Sequence, residues 1–233
     1  MAHATRPGRL GKMHHPDPDA VAAKRALRQE VLALRRALTG PARAAADDAL
    51  LTRLVTTLGQ EDLGQEDLGP EDLGPEDLGP EDLGAGGRTV AAYVPVGTEP
   101  GGPGLPDVLR AAGFAVLLPV LEPDGDLDWA LHTGELLPGP RGLLQPAGPR
   151  RGHDAIRDAA AVIVPAVAVD LRGVRLGRGG GSYDRALARL RPRTPVLALL
   201  YDGELTVTLP EEAHDRRVGT VVTPSRVHRA GTG

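Results

Sequence analysis

The chain has 233 residues, 41% of them apolar and 25% charged, enough for one large soluble domain or two small ones. It has no cysteine, which excludes a disulfide scaffold, a thiolate zinc site, an iron–sulfur cluster and a cysteine nucleophile. The net charge of −4 hides an asymmetry: residues 60–84 hold ten acidic residues and no basic ones, so subtracting them leaves +6 for the rest.

A mildly basic body suits an anionic small substrate and falls short of the balance of a nucleic-acid binder. Aromatic residues, at 2%, are too few for base-stacking platforms. Two lysines stand against 25 arginines, which reads as GC-rich coding bias. No run approaches the eighteen or so apolar residues of a membrane span. Residues 1–20 lack the apolar core of a signal peptide, so a cytoplasmic protein is expected.

In chain order, residues 1–17 read as a disordered tail, with His14 and His15 adjacent but without a metal-site context. A helix is predicted from Pro18 to Leu38, capped by Asp17 or Asp19, with Leu27, Val31, Leu34 and Leu38 as its buried stripe. Thr39-Gly40-Pro41 stops it and starts a second helix to Leu58. Gln60 to Gly84 is five copies of a pentapeptide, QEDLG twice and PEDLG three times. One leucine per repeat cannot build a core, so a solvated acidic loop is expected.

Beyond it the pattern alternates. Apolar runs at 89–94, 114–120, 160–169, 196–201 and 219–222 read as strands buried on both faces. Helical stretches at 105–112, 155–160 and 183–190 lie between them, and 138–151 reads as a long loop. The alternation predicts a single α/β domain over 18–226: an open, mostly parallel sheet with helices on both faces. Residues 227–233 read as a second tail. Ligands of such sheets sit at the carboxyl ends of the strands.

The segment richest in chemistry is Val164–Arg185. A strand ends near Asp170, a turn follows at Arg172-Gly173, and Gly177, Gly179, Gly180 and Gly181 precede a helix. Glycines let backbone N–H groups approach a phosphate, and a helix start adds unpaired donors. Arg175 and Arg178 can pair with phosphate oxygens, and Asp184 could hold Mg²⁺ beside them. The loop is not a Walker A motif and lacks the third glycine of a dinucleotide fingerprint.

This stretch, from Pro165-Ala166 through Asp170-Leu171-Arg172-Gly173-Val174-Arg175-Leu176-Gly177-Arg178-Gly179-Gly180-Gly181-Ser182-Tyr183-Asp184, resembles the 5-formyltetrahydrofolate cyclo-ligase family. Lys24-Arg25-Ala26-Leu27-Arg28, Tyr93–Glu99, Leu118-Pro119-Val120, Pro210–Asp215 and Val221–Pro224 agree with it in order and spacing. The resemblance covers about 20–58 and 88–226. It implies an ATP- and Mg²⁺-dependent enzyme that closes 5-formyltetrahydrofolate into 5,10-methenyltetrahydrofolate, with ADP and phosphate released after phosphorylation of the formyl oxygen. It implies ATP contacts from Lys24, Arg25 and Arg28 and from Arg175, Leu176, Gly177, Arg178, Gly179, Gly180, Gly181, Ser182 and Tyr183. Among these, Arg175, Arg178 and Tyr183 would be catalytic. It further implies Val94 and Glu99 at the folate and Asp184 and Asp215 at Mg²⁺.

Arg35 is expected at the surface, and Trp129 in the core. Ser182 stands where the family has the first of two aromatics, and as a natural N-cap it is expected to start the helix. Ser182 and the acidic repeat leave a second possibility open, an ATP-binding regulatory or interaction protein with a diverged folate pocket. The expected partner is a small folate, with no nucleic acid and no membrane, and the expected state is a monomer.

Overall fold

Short runs rich in Val, Ala and Leu form the strands, because side chains alternate across a pleat and here both faces are covered. The computed structural model of the chain describes residues 18–61, 88–211 and 216–231. α1 (Pro18–Ala37) and α2 (Gly40–Gln60) come first, and the Thr39 hydroxyl caps α2 by accepting from Ala42 N at 3.3 Å. Then follow β1 (Thr89–Ala91), α3 (Leu105–Ala111), β2 (Ala115–Leu121), β3 (Leu127–Leu131) and the hairpin of β4 (Leu136–Pro138) and β5 (Leu144–Pro146). The rest comprises β6 (Ala161–Pro165), β7 (Ala168–Asp170), β8 (Arg175–Leu176), α4 (Ser182–Leu187), β9 (Val196–Leu199), β10 (Leu205–Thr206), β11 (Thr220–Val222) and β12 (Val227–Arg229).

The main sheet has seven strands in the order β12-β11-β9-β6-β1-β2-β3. Its five central strands are parallel, and the edge strands β3 and β12 are antiparallel. One face packs on α2 and α3 through Leu50, Leu54, Leu58, Leu105 and Leu109. The other packs on α4 and the 3-10 turn His153–Asp158 through Ala186, Leu187 and Ile156. β6 shows why its run is uniformly apolar: Ala161 and Ile163 face the first layer, Val162 and Val164 the second. Trp129 lies in the second layer, fully buried as expected. This is the expected open, mostly parallel sheet covered on both faces in one domain. No helix among the described residues is long and apolar enough to cross a membrane.

α1 lies on a smaller sheet, β10-β7-β8, with Leu27 and Val31 against Val167, Val174, Leu176 and Leu209. Two expectations for α1 fail. Leu34 is 61% exposed, and Arg35, expected at the surface, is 1% exposed. The contact follows the Leu27–Val31–Arg35 line at i, i+4 spacing, and Leu34 falls to its side. Arg35 is drawn in by buried Glu204, whose carboxylate accepts from Arg35 Nε at 2.7 Å and Nη2 at 2.8 Å.

Other boundaries also shift. The run 160–169 is two strands in two sheets, broken after Pro165 where the chain turns toward α1. The helix expected at 155–160 is the 3-10 turn 153–158, and the one expected at 183–190 spans only Ser182–Leu187. The supposed loop 138–151 contains β5 and pairs with β4 as a hairpin. Residues 227–229, read as part of a tail, pair with β11. Residues 1–17 and most of the acidic repeat, 62–84, lie outside the described residues. Glu61, at its start, accepts from Arg229 Nη1 at 2.6 Å.

Candidate functional site

β1 lies inside the sheet, with β2 and β3 on one side and β6, β9, β11 and β12 on the other. Successive strands are added on one side of β1 up to β3 and on the other from β6 onward, and such switch points leave a crevice at the strand ends. A cavity of about 730 Å³ opens at that place, between Tyr93 and Val94 after β1 and Pro165 and Ala166 at the end of β6.

The glycine-rich loop lines it. Asp170, fully buried at the end of β7, accepts from the amides of Arg172, Val174 and Leu209 at 2.9–3.0 Å and from the Arg172 guanidinium. Burial pushes the Asp170 carboxyl up, but those donors outweigh it and hold it below the ordinary carboxylate range. This hub fixes the turn that sends β8 back to the cavity and so aims Arg175. Gly179 (φ +99°) and Gly181 (φ +68°) then adopt the left-handed backbone that glycine takes without strain. Gly181, not Ser182, is the N-cap of α4. The Ser182 hydroxyl instead donates to Gly125 O at 2.5 Å, across to the β2–β3 turn. With six residues, α4 has a weak dipole, so loop amides and arginines supply most of the positive potential.

Four cationic side chains surround this loop: Lys24 and Arg28 from α1, and Arg175 and Arg178. Arg28 Nε donates to Gly177 O at 2.8 Å, which fastens α1 to the loop. Arg175 Nη2 pairs with Asp184 Oδ1 at 2.7 Å, and Nη1 donates to Pro165 O at 3.2 Å. Its Nε is buried without a hydrogen-bond partner among the described residues, and its guanidinium lies 5.9 Å from the centre of the Tyr183 ring. Arg178 Nε pairs with Glu99 Oε1 at 2.9 Å, and Glu99 Oε2 accepts from Val96 N at 2.9 Å.

Two tyrosines flank Glu99. Tyr93 donates its hydroxyl to Pro100 O at 2.7 Å, whereas the buried Tyr183 hydroxyl has no hydrogen-bond partner among the described residues. Burial first and the Glu99 charge second raise both phenols well above their ordinary value, so each remains an O–H donor. An orphaned donor on a residue that lines a cavity is a candidate partner for a ligand oxygen.

The structure thus brings together Lys24, Arg28, Val94, Glu99 and the whole segment Arg175–Asp184 on one cavity. Arg25 is exposed and is not among the residues lining it. Asp215 and its neighbour His214 lie outside the described residues. Sequence reasoning missed an apolar wall of Pro119, Leu121, Leu127, Leu143 and Leu144, and Arg141 beside it. Strands of three residues carry no readable period, so the hairpin that supplies part of this wall was not visible.

Known proteins resemble this chain in sequence and in fold. The profile described as the 5-formyltetrahydrofolate cyclo-ligase family matches residues 85–224. The 5-formyltetrahydrofolate cyclo-ligase of Mycolicibacterium smegmatis is 43% identical over 146 residues, covering 60% of this chain and 75% of that one. Its counterpart in Escherichia coli is 34% identical over 144 residues, covering 60% and 79%. The structure of Aquifex aeolicus 5,10-methenyltetrahydrofolate synthetase superposes with a TM-score of 0.64 at 28% identity, covering 90% of this chain and 94% of that one. A Mycoplasma pneumoniae methenyltetrahydrofolate synthetase, 18% identical over 86% of this chain and 98% of that one, shares the fold with a TM-score of 0.60. The matched segment includes β1 to β11, the glycine-rich loop and Glu99, and the chain belongs to the 5-formyltetrahydrofolate cyclo-ligase family.

Proposed function

We propose that this chain is an ATP-dependent cyclo-ligase that converts 5-formyltetrahydrofolate into 5,10-methenyltetrahydrofolate, with ADP and phosphate as the other products. The observation that carries the reading is a single cavity with two kinds of wall. One is the glycine-rich loop ringed by Lys24, Arg28, Arg175 and Arg178. The other is apolar and holds Val94, Pro119, Leu121 and Leu127. The first wall suits a triphosphate and the second a flat ring system.

In this reading the formyl oxygen attacks the γ-phosphorus, the bond to ADP breaks, and a phosphorylated imidate forms. N10 then attacks the formyl carbon, loses its proton, and phosphate departs to leave the methenyl bridge. Such a transfer asks the protein for position and charge neutralisation. Arg175 is fixed from two sides, by Asp184 and Pro165 O, so it needs little reorganisation to meet the transferring phosphoryl. The Tyr183 hydroxyl donates to a phosphoryl or formyl oxygen. Glu99 accepts from a ring N–H of the folate, with Arg178 beside it.

Mg²⁺ binds through one or two carboxylates plus phosphate oxygens and water, and Asp184 on the cavity wall fits that donor set. A bound Mg²⁺ would neutralise charge on the phosphates. Asp184, with Asp215 as the second carboxylate, would hold it.

The reading is tested by coupling ADP release to a spectrophotometric reporter. ADP is expected to appear only with 5-formyltetrahydrofolate present, one per folate consumed. ADP release indifferent to the folate would overturn the reading.

A further inference from the structure

The cavity has one cation that the phosphate-loop reading does not use. Arg28, Arg175 and Arg178 are committed to Gly177 O, Asp184 and Glu99. Arg141 lines the same cavity from the β4–β5 hairpin, and among the described residues its side chain makes no ion pair or hydrogen bond. It is exposed. Its neighbours there are Leu143, Leu144 and Gln145, so the hairpin wall offers one positive charge on an apolar ground. Leu144 is 43% exposed, a large apolar side chain left open where it meets the cavity.

The backbone adds a second observation. Arg141 has φ 57° and ψ 26°, the left-handed region that a side chain enters at a cost and that glycine or asparagine fills more easily. Gly142 follows at φ +73°, and the turn is closed by Gly139 N donating to Leu143 O at 2.7 Å and Leu143 N donating to Pro140 O at 3.1 Å. An arginine in a strained position at a cavity wall points to function, because nothing in the hairpin's own hydrogen bonding requires it there.

We infer that Arg141 is a specificity-determining residue that receives the carboxylates of the substrate's glutamate tail, with Leu143 and Leu144 covering the aromatic amide next to it. This rests on the folate reading above. The chemistry argues against the triphosphate as its ligand, since that group has its own ring of cations at the glycine-rich loop. A guanidinium beside an apolar wall matches a ligand that is flat and apolar along its length and carries an anionic group.

The test compares 5-formyltetrahydrofolate with 5-formyltetrahydropteroate, which lacks the glutamate, at saturating MgATP. The wild-type KM is expected to be about 5- to 10-fold higher for the pteroate, the size of one partly exposed charge-assisted contact. Arg141→Gln is expected to raise KM for the folate by a similar factor with kcat within twofold, and to raise KM for the pteroate less than twofold. Arg141→Lys should restore most of the difference. Equilibrium dissociation constants should follow the same pattern. An unchanged KM for the folate in Arg141→Gln, or an equal rise for both compounds, would overturn the inference alone. A folded wild-type protein inert toward both compounds would overturn the folate reading and this inference with it.

Discussion

Asp184→Asn is expected to reduce turnover by roughly 10³-fold while the protein remains folded. Asp184 has two tasks in the proposed mechanism: it fixes Arg175 through the 2.7 Å contact and supplies negative charge for Mg²⁺. Asparagine keeps an oxygen for Arg175 and is the same size, so packing around the 25%-exposed side chain survives. It removes the charge, and an amide oxygen is a poorer partner for a doubly charged hard cation. The loss should therefore fall on kcat and on the Mg²⁺ concentration needed for half-maximal rate, with a smaller change in KM for the folate. Initial rates across a Mg²⁺ titration, with circular dichroism to confirm folding, check this. An Asp184→Asn protein as active as the wild type, with an unchanged Mg²⁺ requirement, would show that the Asp184 charge has no part in holding Mg²⁺.

The second large effect concerns stability. Glu204→Ala is expected to cost about 3–5 kcal/mol, because it leaves the 1%-exposed Arg35 guanidinium without its counter-charge. For a chain of this size that is a fall of roughly 10 °C in Tm. The pair is bidentate, Glu204 Oε2 also accepts from Tyr201 N at 2.9 Å, and Arg35 Nη2 also donates to Ala166 O at 2.8 Å. The network therefore ties α1 to the end of β6, where the cavity begins. Because α1 carries Lys24 and Arg28, the variant should also bind ATP more weakly. Replacing both partners by apolar residues of similar size, Arg35→Met with Glu204→Leu, should recover most of the stability, since no buried charge is then unpaired. Urea midpoints of the three proteins decide the matter. A Glu204→Ala midpoint equal to wild type would show that the pair holds nothing.

Much of this was legible in the sequence, for reasons that can be named. β2, β6 and β9 are buried on both faces, and uniform apolar runs announce such strands. Gly177–Gly181, with Arg175 before it and Arg178 within it, announced the cavity wall, because closely spaced glycines have few purposes other than backbone approach. Arg35 was misplaced because periodicity assigns apolar residues inward and has no means of knowing that Glu204, 169 positions on, waits in the core. β3 and the β4–β5 hairpin escaped because edge strands carry mixed sequences and three-residue strands carry no period at all. Arg141 escaped with them. Ser182 was read as a cap by residue type alone, whereas its hydroxyl reaches Gly125 in a turn 57 positions earlier.

The central claim is that one cavity holds a triphosphate and a formylated folate in reacting position. The most direct measurement mixes purified protein, MgATP and 5-formyltetrahydrofolate and follows the near-UV absorption of the methenyl product, with ATP or Mg²⁺ omitted in turn. The account predicts a rise that requires all three components and that tolerates serine at position 182. A flat trace from a folded protein that still binds ATP would contradict it.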